Sequence, residues 1–138
     1  MLKNLRNKLN EKKNKKGFTL IELIIVIAII AILAALLLPK IGAVKENSNK
    51  TSDVANGKKI AEAVLQLAAE DKMTSGTGTV SGNDAVAKFL QVSPTGKTNN
   101  TSTKGKNFTY ELKATGEVEV KLGGKVVYPS PDAVFQTK

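Results

Sequence analysis

The residues best suited to chemistry lie in one stretch, Lys15-Lys16-Gly17-Phe18-Thr19-Leu20-Ile21-Glu22. Gly17 offers backbone without a side chain, which leaves the peptide bond after it sterically open. The lysines ahead of it would hold that bond at the charged surface. The plainer reading is that the glycine only starts a helix. Glu22 puts a carboxylate into an apolar segment, which costs roughly 2.5–3.5 kcal/mol at a helix centre. One turn from the helix start the cost falls, because the carboxylate reaches the interface and the positive end of the helix dipole. A tolerated interfacial acid is the alternative there. Elsewhere the chain is poor in reactive groups. It has no His and no Cys, which excludes disulfides, thiol catalysis and the usual zinc sites. There is no phosphate-binding loop and no paired carboxylate frame, so an enzyme is not expected. Asp71, Asp84 and Asp132 are scattered, and Asp132 is the only acid after Glu119. A calcium site is therefore not expected, nor any other metal or cofactor.

These residues are positioned by a long apolar element. From Phe18 to Leu38 only Thr19 and Glu22 are polar. Twenty-one residues at helical rise span about 31 Å, the thickness of a bilayer's hydrocarbon core. Pro39, Lys40 and Ile41 follow and make a poor site for secretory signal cleavage. A cut on the cytoplasmic side, leaving the helix on the mature chain, fits better, and an ordinary retained anchor is the bland alternative. Residues 1–17 carry seven basic side chains against Glu11, whereas residues 18–138 are close to balanced, with fourteen basic and eleven acidic residues. The charge of +9 is thus mostly leader, and it places the N-terminus in the cytoplasm and residues after Leu38 outside.

Beyond Pro39, which either bends the helix or marks the membrane edge, an amphipathic pattern resumes. Ile60, Ala61, Val64, Leu65, Leu67 and Ala68 recur at helical spacing. One helix over about Thr19–Asp71 is predicted, weakened by Gly42, Gly57 and the polar run Glu46–Asp53, and broken by Thr74-Ser75-Gly76-Thr77-Gly78-Thr79. A short helix is expected over Asp84–Gln91, capped by Ser81 or Asn83, with Ala85, Val86, Phe89 and Leu90 inward. A polar loop follows over 93–106. Then the period becomes two: Phe108, Tyr110 and Leu112 form one strand, Val118, Val120 and Leu122 a second, joined by a turn at Ala114-Thr115-Gly116. Val126-Val127-Tyr128 is a third strand, ended by Pro129 and Pro131. The fold class is α+β, a long helix packed on a small antiparallel sheet of about three strands. Lys97, Lys104 and Lys106 in the loop, with Lys113, Lys121 and Lys125 near the sheet, could attract a polyanion. Glu111, Glu117 and Glu119 dilute that patch, and nucleic acid is not an expected partner.

The string GFTLIELIIVIAIIAILAALLLP behind a basic leader closely resembles the start of type IV pilins and pseudopilins. The resemblance is specific over residues 15–39 and architectural beyond. It implies the type IV pilin fold and three segments: a cleaved leader (1–17), a transmembrane and filament-core helix (18–39) and an extracytoplasmic head (40–138). It implies cleavage by a prepilin peptidase between Gly17 and Phe18, N-methylation of Phe18, and pairing of Glu22 with the Phe18 amine of an adjacent copy. A buried pair of that kind specifies register even where it adds little stability. It also implies a helix kink at Pro39, although many relatives carry a glycine within the apolar span and here the small residues are Ala28, Ala31, Ala34 and Ala35. The partners implied are further copies of the chain in a filament, the peptidase, an assembly ATPase, an inner-membrane platform protein, and membrane lipid before assembly. The expected function is a structural pilus subunit for adhesion or motility, with a pseudopilin of type II secretion or DNA uptake as the alternative. The lack of cysteine, beside abundant Lys and Asn, suits a Gram-positive, clostridial-like source.

Overall fold

A computed structural model describes residues 1–13 and 17–137, so Lys15 and Lys16 of the leader lie outside the described residues. Two compact units, Met1–Ile41 and Gly42–Lys138, divide the chain. The first contains a leader helix, α1 (Leu2–Lys13), and the beginning of a second helix, α2 (Leu20–Ala69). Leu and Ala in the run to Leu38 favour helix, while the Ile and Val residues among them favour it less. In a bilayer every N–H and C=O must pair within its own segment, and that requirement imposes the helix. The helical assignment continues on both sides of Pro39.

Within the second unit α2 turns one stripe inward. Asp53, Gly57, Ile60, Val64 and Leu67 are buried at steps of four, three, four and three, joined by Ala61 and Ala63. Gly57 belongs to this stripe for a steric reason. A Cβ there would stand 2.5 Å from Val127 Cγ1, so glycine lets the sheet approach the helix. The helix ends in a left-handed residue, Asp71 (φ 56°). Lys72 N–H donates to Leu67 O and Asp71 N–H to Ala68 O, the paired bonds of a Schellman motif.

The sheet is a four-stranded antiparallel meander, β1 (Gly76–Thr79), β2 (Phe108–Leu112), β3 (Val118–Leu122) and β4 (Lys125–Tyr128), in that spatial order. This corrects the expected count of about three strands and the reading of residues 74–79 as a simple break. The reason is visible in the side chains: Gly and Thr in β1 bury no face, so no hydrophobic alternation announces the strand. It forms because β2 offers a row of backbone partners, from Gly76 opposite Leu112 to Thr79 opposite Thr109. The other strands follow their alternation. Phe108, Tyr110, Leu112, Val118, Val120 and Leu122 face one core with the α2 stripe, closed by Val80, Val86, Ala87, Val127 and Phe135. Between β3 and β4 the register shifts at Val120/Lys121, leaving Val127 as the extra residue, and this is the side chain that Gly57 accommodates.

The short helix α3 (Ala85–Leu90) is capped by Asp84, whose Oδ2 accepts from Val86 N–H at 2.9 Å. Asp84, and neither Ser81 nor Asn83, is the cap. Val86 and Ala87 face inward, while Ala85 and Phe89 are exposed. The six-residue helix is too short for spacing alone to decide which face the core takes. The β3–β4 connection is the two-residue turn Gly123-Gly124, with φ of 57° and 79°. A side chain on Gly123 would run into the carbonyl of Ser102, so the loop before β2 packs directly on this turn.

Candidate functional site

The segment marked by the sequence is held by a local hydrogen-bonded frame. Gly17, Phe18 and Thr19 precede the helix without regular structure. Thr19 is the cap: its Oγ1 accepts from Glu22 N–H at 3.3 Å, while Glu22 Oε2 accepts from Thr19 N–H at 2.7 Å and from the Thr19 hydroxyl at 3.0 Å. This is the reciprocal capping box of a T-x-x-E sequence, and it satisfies donors that the helix cannot. The T-x-x-E spacing of Thr19-Leu20-Ile21-Glu22 is the local signal for this cap. Both bonds go to Oε2. A carboxylate offers about four acceptor positions, so Oε1 stays open to a donor from outside.

Phe18 and every residue from Leu20 to Leu38 are exposed in this unit. An apolar surface of that length cannot stay in water; it needs lipid or other apolar helices. Pro39 removes one N–H donor within α2, leaving the carbonyl four residues earlier, on Ala35, without its helical bond.

In the head unit a fully buried carboxylate sits in the polar run Glu46–Asp53, which by sequence only weakens a helix. Asp53 is fully buried. Its carboxylate accepts from Lys97 N–H at 2.9 and 3.1 Å, from Thr98 N–H at 2.7 Å and from the Thr98 hydroxyl at 2.5 Å. Two turns earlier on α2, Glu46 accepts from Asn99 N–H at 2.9 and 3.1 Å. The two acids thus bind three successive amides of the loop before β2 and fasten it to the helix. Extrapolating the Ile60–Val64–Leu67 stripe backwards through Gly57 lands on Asp53, and that was the available signal.

A second polar contact joins α3 to the sheet. Tyr110, 7% exposed, donates its hydroxyl to Asp84 Oδ1 at 3.0 Å. Burial first, and then the hydrogen bond and charge of Asp84, push the Tyr110 phenol up to about 12. The neutral phenol is the form that the fold favours. The associated stability is therefore complete below pH 10 and is lost as pH rises from 10 to 12, an effect on the order of 2–3 kcal/mol. In a Tyr128→Phe variant, which leaves Tyr110 as the only tyrosine, the phenolate absorbance should titrate near pH 12. A midpoint near 10 in the folded protein would refute the burial of this hydroxyl.

Among the described residues no cluster of three metal-ligating acids occurs. Gly17, Phe18 and Glu22 lie at the start of α2, Pro39 lies farther along it, and the lysines that could attract a polyanion are divided. Lys113 and Lys121 pair with Glu117 and Glu119 at 3.5 and 2.8 Å, while Lys97 and Lys104 lie on the fastened loop.

The first unit thus carries an exposed apolar helix, capped by its own glutamate and long enough to cross a membrane, and the second a small α+β head. Residues 12–38 match the prokaryotic N-terminal methylation motif. That match supports a pilin or pseudopilin that is cleaved and methylated at its N-terminus, a family of structural subunits. The match leaves the head outside it, and neither a curated protein nor a solved structure matches the chain.

Proposed function

We propose that the chain is the structural subunit of a surface type IV pilus. Prepilin peptidase cuts between Gly17 and Phe18, the Phe18 amine is methylated, and the apolar helix passes from the bilayer into the core of a filament used for adhesion or motility. The basic leader keeps the N-terminus inside before assembly. The observation that carries this reading is the exposed helix surface from Leu20 to Leu38, which lipid covers in the membrane and a bundle of like helices covers in a filament. An assembly ATPase and a platform protein supply the extraction. Pro39 gives the helix a point of weakness where it leaves the hydrocarbon.

Glu22 has two compatible roles in this scheme. Through Oε2 it caps its own helix, and through Oε1 it receives the Phe18 amine of a neighbouring copy. Glu22→Ala removes both and leaves the neighbour's ammonium unpaired in an apolar core, a cost of about 3–5 kcal/mol. Cleavage should persist while filament yield falls roughly a hundredfold or more. Glu22→Gln retains an acceptor for the cap and loses the charge. If this variant restores normal yield, the ion pair is not what Glu22 contributes.

The function itself is tested by shearing cells and measuring the intact mass of the chain in the shed fraction. Abundant protein beginning at Phe18 with one added methyl group supports a pilus. Processed protein retained wholly in the membrane overturns the pilus reading in favour of a pseudopilin.

A further inference from the structure

Two lysines of one loop and a third from far earlier in the sequence converge on one groove of the head. Lys45 on α2, with Lys97 and Lys104 on the loop before β2, lines an open groove of about 480 Å³ beside Glu46, Asn49 and Asn99. None of the three ammonium groups takes part in an ion pair among the described residues. Lys104 Nζ donates only to the amide oxygen of Asn99, at 3.3 Å. The one acid of the groove, Glu46, aims its carboxylate at the Asn99 N–H, so the groove keeps an excess of positive charge. Nor is the gathering a casual feature of a free loop. Asp53 and Glu46 bind the backbone of residues 97, 98 and 99, which holds Lys97 beside Lys45 against their mutual repulsion.

The position of the groove along the chain identifies what it meets. Gly42 follows Leu38, the last residue of the apolar run, by four residues, and Lys45 follows it by seven. Seven residues of helix rise about 10 Å. The headgroup zone on each side of a bilayer is roughly 5–8 Å deep, so a chain this short keeps Lys45 within reach of it. Lysine ammonium groups bind phosphate as point charges.

We propose that the Lys45–Lys97–Lys104 groove docks on phosphodiester headgroups of anionic lipid in the extracytoplasmic leaflet while the chain waits in the bilayer. This rests on the membrane-anchored stage of the function proposed above. Docking seats the head on the membrane surface before extraction, and it is released when the helix leaves the bilayer.

The test uses the full chain with Thr101→Cys, an exposed position outside the groove in a protein with no other cysteine. A donor dye on that thiol is read against acceptor-labelled headgroups, in vesicles of pure phosphatidylcholine and in vesicles one-third phosphatidylglycerol. Two net charges at an anionic surface should raise the ratio of docked to undocked heads about thirtyfold in the anionic vesicles. About 0.5 M salt should abolish the difference, and so should a Lys45→Gln/Lys97→Gln/Lys104→Gln variant with an unchanged circular dichroism spectrum. Equal transfer in the two vesicle types overturns the proposal, as does a difference that survives in the triple variant. Undocking by a single-stranded oligonucleotide at equal phosphate concentration assigns the groove to a soluble polyanion and overturns the lipid. A chain that washes off the vesicles at alkaline pH refutes the anchored stage, and docking with it. Retention without enhanced transfer refutes docking alone.

Discussion

Asp53→Ala should unfasten the head. The substitution removes the acceptor of two backbone amides and one hydroxyl, all of them held against a fully buried carboxylate. Each buried donor left without a partner costs about 1–3 kcal/mol, and the loop can recover part of that by opening to water. A net loss of about 3–5 kcal/mol follows, a large fraction of the 5–15 kcal/mol that a domain of this size commands. The damage should be local first, because the loop over 95–106 contributes little apolar surface beyond its seat against Leu122 and the Gly123 turn. Hydrogen exchange in detergent-solubilised protein reads this directly. The amides of Lys97, Thr98 and Thr103 should lose protection at denaturant levels where Val120 and Leu122 keep theirs. Thr101→Ala, at an exposed site with no recorded side-chain bond, is the control and should change little. Wild-type protection of the loop in Asp53→Ala would show that the carboxylate is not its fastening.

Substitution of Gly17 should abolish maturation without disturbing the fold. A Cβ added at Gly17 meets nothing within 4 Å, so Gly17→Val carries no steric cost in this chain. Whatever changes is then a matter of what cuts the chain. A β-branched residue before the scissile bond widens the segment that the peptidase must admit at the membrane edge. The expected outcome is full-length precursor in the membrane, no chain beginning at Phe18, and none in the sheared fraction. Normal processing of Gly17→Val would refute the cleavage position. It would also remove the main support for methylation at Phe18. Glu22→Ala should behave in the opposite way, processed yet unassembled, so the two variants separate cutting from polymerisation.

How much of this was legible in the chain varied with the range of the interaction. The apolar helix, its length and its leader follow from composition and order alone, because a bilayer accepts only a helix of about that length with its charges at the ends. The β2–β3 hairpin was equally clear: alternation sets the buried face, and the glycine at 116, with φ of 88°, closes the three-residue turn. Strand β1 was not legible, since Gly76–Thr79 buries no face and exists only because β2 has an edge to pair. The inward face of α3 was only half legible, Val86 and Leu90 turning inward but Ala85 and Phe89 outward, because six residues are too few to set a phase.

The sequence by itself determined where the methylation motif lies: Gly17, Phe18 and Glu22 stand within a few residues of one another, and local spacing is enough to pick them out. Even the Thr19 cap could be read from its three-residue distance to Glu22. Only the tertiary structure decided the head's polar architecture. Asp53 lies 44 and 45 residues from its partners Lys97 and Thr98, and no local pattern encodes a contact at that separation. The same fold brings Lys45 to Lys97 and Lys104, turning three unremarkable surface residues into one basic groove. Whether a carboxylate weakens a helix or anchors a loop depends on which donors the rest of the chain brings to it.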